Sequence, residues 1–148
     1  MQIRLARGSD AQAVNELLEQ LGYPQDGEAE TAARIRAWGD EASSAAYVAE
    51  ADGELLGVIA VHVSPFFEHD GKWGRIVALV VSDRIRGQGV GSQLVAAAEA
   101  FATGHGCGRM EVTSNDRRTA AHKFYRVRGY AEQTGISSRF LKDVPAVG

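Results

Sequence analysis

Three glycines at alternate positions form the stretch of this sequence with the clearest chemistry. Gly87, Gly89 and Gly91 lie in the segment Arg86-Gly87-Gln88-Gly89-Val90-Gly91. Because glycine has no Cβ, the backbone N–H groups of such a loop can approach a ligand closely. N–H groups at the start of a helix also attract anions. The segment therefore predicts a binding site for a phosphate or pyrophosphate group, formed mainly by backbone atoms.

The elements that must position this loop are a strand before it and a helix after it. Ile76 to Val81 is a near-continuous apolar run rich in β-branched residues, which predicts a buried strand. A helix is predicted directly after the loop, because apolar residues recur there at helical spacing. These residues are Leu94, Val95, Ala98, Phe101 and Ala102. A glycine-rich turn without a ligand is the alternative, but strand, loop and helix together favour a binding site.

The spacing of the loop excludes two common phosphate sites. No Gly-Lys-Ser/Thr follows, as a P-loop requires, and the third glycine of the dinucleotide fingerprint would fall on Ser92. What remains, Arg86-x-x-Gly89-x-Gly91, closely resembles the coenzyme A pyrophosphate loop of the GNAT superfamily of N-acetyltransferases, whose pattern is Gln/Arg-x-x-Gly-x-Gly/Ala. The resemblance implies acetyl-CoA as co-substrate, with no metal.

The resemblance also implies which residues hold the cofactor. The pyrophosphate is expected on Arg86, Gly87, Gln88, Gly89, Val90, Gly91 and Ser92. In similar proteins the strand before the loop pairs with the pantetheine through its backbone, which here corresponds to Leu79, Val80 and Val81.

A second motif resembles the family further along the chain. Asn115 follows a short predicted strand, and the later run A-x-x-F-Y-x-x-x-G-Y contains Tyr125. In the family the asparagine hydrogen-bonds the pantetheine and the tyrosine acts as general acid toward the sulfur. The resemblance implies these roles for Asn115 and Tyr125, although the gap between them is longer than in the N-terminal protein acetyltransferases. The alternative for Tyr125 is a core aromatic residue.

The general base is less clearly marked. Many relatives carry a glutamate late on the fourth strand, where this sequence has Val77 and Ala78. Glu111 matches a glutamate that some relatives use, and it is the candidate base. The alternatives are a structural carboxylate paired with Arg109 or Arg139, a water relay, or selection of an amine that is already neutral.

The acceptor amine is expected to bind in the variable segments. The candidate residues are Tyr23, Phe67, Glu68 and Trp73, because aromatic rings and carboxylates suit a cationic amine. A solvated loop with anchoring aromatic residues is the simpler alternative. The four histidines show no metal-ligand spacing.

Composition narrows the class of protein. Sixteen Lys and Arg against nineteen Asp and Glu give a formal charge of −3, which argues against a nucleic-acid partner. No apolar run is long enough to span a membrane, and the single Cys107 suits a reducing cytoplasm, so a cytoplasmic location is expected. The 148 residues predict one domain, residues 1–148. A homodimer is left open.

The order of predicted elements is β-α-α-β-β-β-α-β-α-β-β, with a closing antiparallel pair at Tyr130 to Thr134 and Ser137 to Lys142. Early antiparallel strands followed by a βαβα run indicate a mixed α/β sheet with helices on both faces. This order is similar to the GNAT fold, a mostly antiparallel sheet of about seven strands with a V-shaped splay between the fourth and fifth strands.

The sequence therefore predicts an N-acetyltransferase that moves an acetyl group from acetyl-CoA to a primary amine of a small molecule or protein. The amine attacks directly in a ternary complex. The rival function is a non-catalytic acyl-CoA-binding regulatory domain. The absence of the fourth-strand glutamate favours the rival, whereas Tyr125 favours the enzyme.

Overall fold

The structure is a computed structural model that describes residues 1–85, 87–114 and 118–145. It divides into two compact units, Met1–Thr113 and a second unit that begins at Ser114. The single domain over residues 1–148 stays a prediction. Arg86 and Asn115, which were both expected to contact the cofactor, lie outside the described residues.

The first unit is a five-stranded sheet with helices on both faces. A short 3-10 turn at Gly8–Asp10 precedes the first helix. The elements in chain order are β1 Gln2–Leu5, α1 Ala11–Gln20, α2 Glu28–Asp40, β2 Ser44–Ala51, β3 Glu54–Pro65, β4 Lys72–Val81, α3 Val90–Gly104 and β5 Cys107–Val112. The strands lie in the order β1-β2-β3-β4-β5. Neighbouring strands are antiparallel except β4 and β5, which are parallel. The predicted mixed, mostly antiparallel sheet is thus confirmed.

The two faces of the sheet bury different helices. Val14 and Leu17 of α1 pack in one cluster with Val48, Val58 and Val80 of the sheet, and we call this side the α1 face. The opposite side is covered by α3. There a Cβ at Gly57 would come within 2.9 Å of Leu94 and 3.4 Å of Val90. Alternate residues of each strand therefore serve two separate cores, as the pleat of a β-strand requires.

The turn between β2 and β3 has the conformation that its sequence predicts. Asp52 and Gly53 both have positive φ, +53° and +77°. Two consecutive left-handed residues match the twist of the flanking strands, which explains why Asp-Gly is favoured there. This turn fixes the hairpin that places β3 beside β2.

A β-bulge interrupts the pairing of β3 with β4 at the middle of the sheet. Ala60 lies opposite Ala78 and Val61 lies opposite Ile76, so Val77 is the extra residue. A bulge reverses the alternation of side chains along the strand that carries it. Consequently Arg75 lies on the α1 face, the face on which Ala78 and Val80 also lie.

The second unit contains the helix α4, Thr119–Val127, which ends in a Schellman motif. Gly129 has φ +90°, its N–H bonds the Arg126 carbonyl at 3.0 Å, and the Tyr130 N–H bonds the Tyr125 carbonyl at 3.1 Å. The rings of Tyr125 and Tyr130 lie 5.8 Å apart and supply the apolar contact that accompanies this motif. The way in which α4 ends therefore explains the presence of Gly129, Tyr125 and Tyr130 in the second sequence motif.

The predicted closing strand pair is wrong for the described residues. The turn around Gly135 is present, with φ +83°, but no strand flanks it within residues 118–145. Phe140 and Leu141 are strongly exposed. A lone two-stranded hairpin with exposed apolar side chains gains too little burial to be stable. The part of the chain that the structure describes therefore has five strands, where about seven were expected.

Candidate active site

The glycine loop, which was predicted to bind an anion, has two glycines in the left-handed conformation. Gly87 and Gly89 have φ +86° and +81°, a left-handed conformation that side-chain-bearing residues rarely adopt. Gly89 is the N-cap of α3, and its carbonyl accepts a hydrogen bond from the Gln93 N–H at 3.2 Å. An added Cβ at either glycine would meet no atom within 4 Å. These glycines are thus required by their conformation, and the space beside them is open to a ligand.

Buried neighbours hold the loop in place on both sides. Ser82, only 2% exposed, donates its backbone N–H to the Leu56 carbonyl at 2.8 Å. The Asp83 N–H donates to the Gln20 side chain at the end of α1, at 3.0 Å. After the loop, Val90 is 3% exposed, which anchors the first turn of α3 in the core. The loop therefore connects the end of β4 to the start of α3, and buried contacts hold both of these ends in place.

Beside the loop, the second half of β4 has one edge without a strand partner. Parallel pairing with β5 ends where Ile76 lies opposite Val112. Within the described residues Val77 is the bulge residue, and the stretch from Ala78 to Val81 is paired only with β3. This is the splay between the fourth and fifth strands, and it leaves backbone N–H and C=O groups of β4 available to an extended ligand. Leu79, Val80 and Val81, the predicted pantetheine partners, lie in this stretch.

Polar side chains lie side by side on the α1 face at the point where the splay begins. His62 on β3 lies opposite Arg75 on β4, and Arg75 lies opposite Glu111 on β5. We call these three residues the polar row. Because the bulge at Val77 brings Arg75 onto this face, the row depends on tertiary pairing and not on spacing in one segment.

Arg75 and Glu111 form a loose ion pair within the row. Arg75 Nε lies 3.8 Å from Glu111 Oε1, which is too long for a hydrogen bond. The two side chains are 34% and 44% exposed, so both can be reached from solvent. Within the first unit Glu111 is therefore paired with Arg75 of β4, and not with Arg109, one of the partners considered from the sequence. Its carboxylate remains accessible to an amine.

Tyr125 lies on α4 with its ring held by aromatic neighbours of the second unit. Phe124 contacts it edge-on at 5.2 Å, in addition to the Tyr130 contact described above. The Arg128 guanidinium lies 3.5 Å from the Phe124 ring centre and stabilises the same group of rings. Burial raises the pKa of Tyr125, and the nearby Arg118 opposes that shift only in part. The hydroxyl accordingly keeps its proton at neutral pH, as a general acid must.

Comparison with known proteins identifies the family. The model of the acetyltransferase (GNAT) family matches residues 11–130. This chain belongs to the GNAT acetyltransferase family. The aminoalkylphosphonate N-acetyltransferase of Salmonella typhimurium is 42% identical to it over 82 residues, which are 55% of this chain and 53% of that protein. The chain thus matches about half the length of this curated relative.

Solved structures support the fold of this GNAT member. A transcriptional regulator from Bacillus halodurans superimposes with a TM-score of 0.83 at 22% identity, covering 97% of this chain and 98% of the other. An aminoglycoside N-acetyltransferase in complex with CoA superimposes with a TM-score of 0.79 at 21% identity, covering 99% and 95%. At these identities the likeness shows the shared fold alone.

The predicted acceptor residues are dispersed in the first unit of the GNAT chain. Tyr23 follows the Schellman end of α1 and is 59% exposed. Phe67 is fully exposed and Glu68 is largely exposed, both in the loop before β4. Trp73 lies opposite Ser64, on the same face of β4 as Arg75, and stacks at 6.4 Å on Phe66. Of these four, Trp73 is the one that the sheet places beside the polar row.

The described residues contain neither a metal-binding cluster nor a membrane-spanning helix. No group of three or more His, Cys, Asp or Glu side chains there could hold a metal ion. No helix among them is both long and apolar enough to cross a bilayer. Burial raises the pKa of the Cys107 thiol, with Lys72 opposing the shift, so this free thiol stays protonated.

Arg75 is the site residue to which the sequence reasoning gave no role. Its one signal in the sequence is a charge directly before the apolar run Ile76–Val81. Only the bulge at Val77 and the register with Glu111 show that this charge lies on the α1 face beside the splay.

Proposed function

We propose that this protein transfers the acetyl group of acetyl-CoA to the primary amine of a small molecule, by direct attack in a ternary complex. The observation that carries the proposal is the open, left-handed glycine loop at the start of α3, next to the unpaired edge of β4. A small acceptor is favoured over a protein amine by the curated relative, an aminoalkylphosphonate N-acetyltransferase. We propose an acceptor of that class, an amine with a phosphonate group on a short alkyl chain.

The described residues fit acetyl-CoA by their backbone chemistry. Gly87, Gly89 and the first turn of α3 would hold the pyrophosphate, because their N–H groups are free of side-chain obstruction. The β4 backbone from Leu79 to Val81 would hold the pantetheine arm as an added strand. When bound, acetyl-CoA supplies an activated acetyl thioester.

Two side chains are proposed to move protons. An alkylamine near neutral pH is almost wholly protonated, and only its neutral form attacks. Glu111 takes that proton, directly or through water, because its exposed carboxylate lies at the start of the splay. Tyr125 holds the proton that the departing thiolate requires, since its pKa is raised by burial. Asn115, outside the described residues, is proposed from the family motif to hydrogen-bond the pantetheine.

The loop assignment is tested by calorimetry of acetyl-CoA binding to Gly89→Glu. The variant introduces a carboxylate and a Cβ where the pyrophosphate is expected, so binding should be abolished. Gly53→Glu is the matched control, because Gly53 also has positive φ and open space but lies in the β2–β3 turn. Unchanged affinity in Gly89→Glu, or equal loss in both variants, would contradict the assignment.

The acid role is tested by Tyr125→Phe, which removes one hydroxyl and keeps the ring packing. The kcat should fall at least about tenfold, since lost acid–base groups typically cost about 100-fold or more. The acetyl-CoA affinity should stay the same. Tyr130→Phe is the control on the neighbouring ring, and a fall of equal size in that variant would indicate a packing role for both.

A non-catalytic acyl-CoA-binding regulator is the second candidate. Val77 and Ala78 carry no carboxylate at the place where many relatives have their base, which is the observation that favours it. A panel of amines screened for release of free CoA separates the two functions. Turnover of an aminoalkylphosphonate supports the enzyme, whereas tight acetyl-CoA binding with no turnover of any amine supports the regulator.

A further inference from the structure

Arg75 has the features of a ligand-binding arginine, because one of its hydrogen-bond donors has no partner within the chain. Its Nε is buried and has no hydrogen-bond partner. The carboxylate beside it, Glu111, is 3.8 Å away, and about a third of the Arg75 side chain faces solvent. A buried donor without a partner is costly, so such a group calls for a partner from outside the chain.

The place of Arg75 in the sheet connects it to the proposed reaction. It occupies the next-to-last pair of the β4–β5 ladder, one residue before the pairing ends at Ile76 and Val112. Beyond that point the β4 edge is open to the pantetheine arm in the proposed function. A group bound by Arg75 would therefore lie at the mouth of the splay, on the α1 face.

The neighbours of Arg75 indicate what kind of group it binds. Glu111 on one side suits an ammonium group. His62 on the other side is the partner of Arg75 on β3, and the Cβ atoms of such partners usually lie about 5 Å apart. A planar guanidinium with several N–H donors matches a phosphonate or carboxylate in a two-point contact. The row thus presents a negative and a positive group side by side, which complements a short zwitterion.

We propose that Arg75 is the specificity residue of the acceptor site, binding the anionic phosphonate of the amine while Glu111 contacts its ammonium group. This inference rests on the proposed function, because it assigns the acceptor of that same site. A bound zwitterion replaces the loose pair between Arg75 and Glu111 with two intermolecular pairs. Each side chain then has an oppositely charged partner at hydrogen-bonding distance, which the 3.8 Å pair does not provide.

The test compares an anionic amine with a neutral one. Steady-state rates are measured for 2-aminoethylphosphonate, β-alanine and propylamine with the wild-type protein, Arg75→Gln and Arg75→Lys. In Arg75→Gln, kcat/KM for the phosphonate should fall about 30-fold or more, mainly through KM, and kcat/KM for propylamine should fall far less, because propylamine has no anionic group for Arg75 to bind. Arg75→Lys should restore part of the loss, because it keeps the charge without the planar fork. Arg34→Gln, the same change on exposed α2, is the control.

Some outcomes would overturn the assignment. An equal fall for all three amines in Arg75→Gln would indicate a structural role, and no fall would exclude phosphonate binding by Arg75. A larger loss for β-alanine than for the phosphonate would assign Arg75 to a carboxylate instead.

Direct binding separates this inference from the proposed function. Calorimetry of 2-aminoethylphosphonate with CoA-saturated protein needs no turnover. Binding that Arg75→Gln weakens, without any acetylation by the wild type, supports Arg75 and refutes the enzyme. Acetylation of propylamine with no phosphonate binding supports the enzyme and refutes Arg75.

Discussion

Two arginines of the same sheet differ in how closely they contact carboxylates. Arg4 on β1 contacts both oxygens of Asp10 at 2.9 and 3.0 Å and Glu50 at 2.6 Å, and its side chain is only 11% exposed. Arg75 on β4 has one carboxylate, Glu111, at 3.8 Å, and its Nε has no partner. We call Arg4, Asp10 and Glu50 the N-terminal ion cluster. The cluster satisfies its charges internally, whereas the polar row leaves charge available at the splay.

The difference teaches how one fold uses the same residue types for two purposes. Burial of Asp10 alone would raise its pKa, but hydrogen bonds from Arg4 and the Arg7 N–H hold that pKa below its ordinary value. Such a cluster fixes the start of α1 against β1 and β2. In the polar row, looser geometry and exposure make the ion pair exchangeable for a ligand. The cluster should therefore control stability, and the row should control activity.

The largest expected effect is on stability, from Asp10→Ala. The change leaves the buried Arg4 guanidinium with one partner fewer, which should lower the free energy of unfolding by about 3 kcal/mol. Urea unfolding measures it. The acetyltransferase rate per folded molecule should not change. A loss below about 0.5 kcal/mol would show that the cluster is no more important than a surface pair.

Glu111→Gln should have the next largest effect, and the effect should be on activity. The substitution keeps the shape and removes the basic site, so kcat/KM near neutral pH should fall about 100-fold. The deficit should narrow at high pH, where neutral amine is abundant. Unfolding free energy should stay within about 0.5 kcal/mol, since a half-exposed pair contributes little. A wild-type rate and pH profile in this variant would exclude Glu111 as the base.

The pH dependence of stability is a smaller effect and separates the two regions further. Because the pKa of Asp10 is lowered in the folded protein, its ionised form stabilises the fold above the unfolded pKa of about 3.9. That contribution is lost as pH falls through the lower, folded pKa. Below about pH 4, Asp10→Asn should therefore lose stability less steeply than the wild type. Parallel acid limbs in urea titrations of the two proteins would contradict this.

The smallest expected effect comes from the exposed ion pair between Arg84 and Glu54. Their side chains are 69% and 52% exposed, so solvent screens the attraction. Glu54→Gln should change unfolding free energy by less than about 0.5 kcal/mol and leave kcat unchanged. A larger destabilisation would indicate that an ion pair in close contact stabilises the protein even when it is exposed. Burial would then not explain why the N-terminal ion cluster stabilises the fold.

Sequence reasoning succeeded where local chemistry decides the structure. The Asp52-Gly53 turn, the strand–loop–helix around Gly89 and the helix end at Gly129 each follow from a glycine with positive φ. Family membership followed from the same local motifs. Sequence reasoning failed for the closing strand pair, because a segment such as 130–142 forms stable strands only if other elements bury one of its faces.

The sequence by itself determined the positions that need a particular backbone conformation, since glycine alone tolerates them at little cost. Only the tertiary structure decided which charged side chains lie next to each other. The bulge at Val77 shifts the alternation of β4, and the parallel register then brings Arg75 and Glu111 to one face at the start of the splay. Register and bulges depend on contacts between strands far apart in the chain, so spacing within one segment does not reveal them.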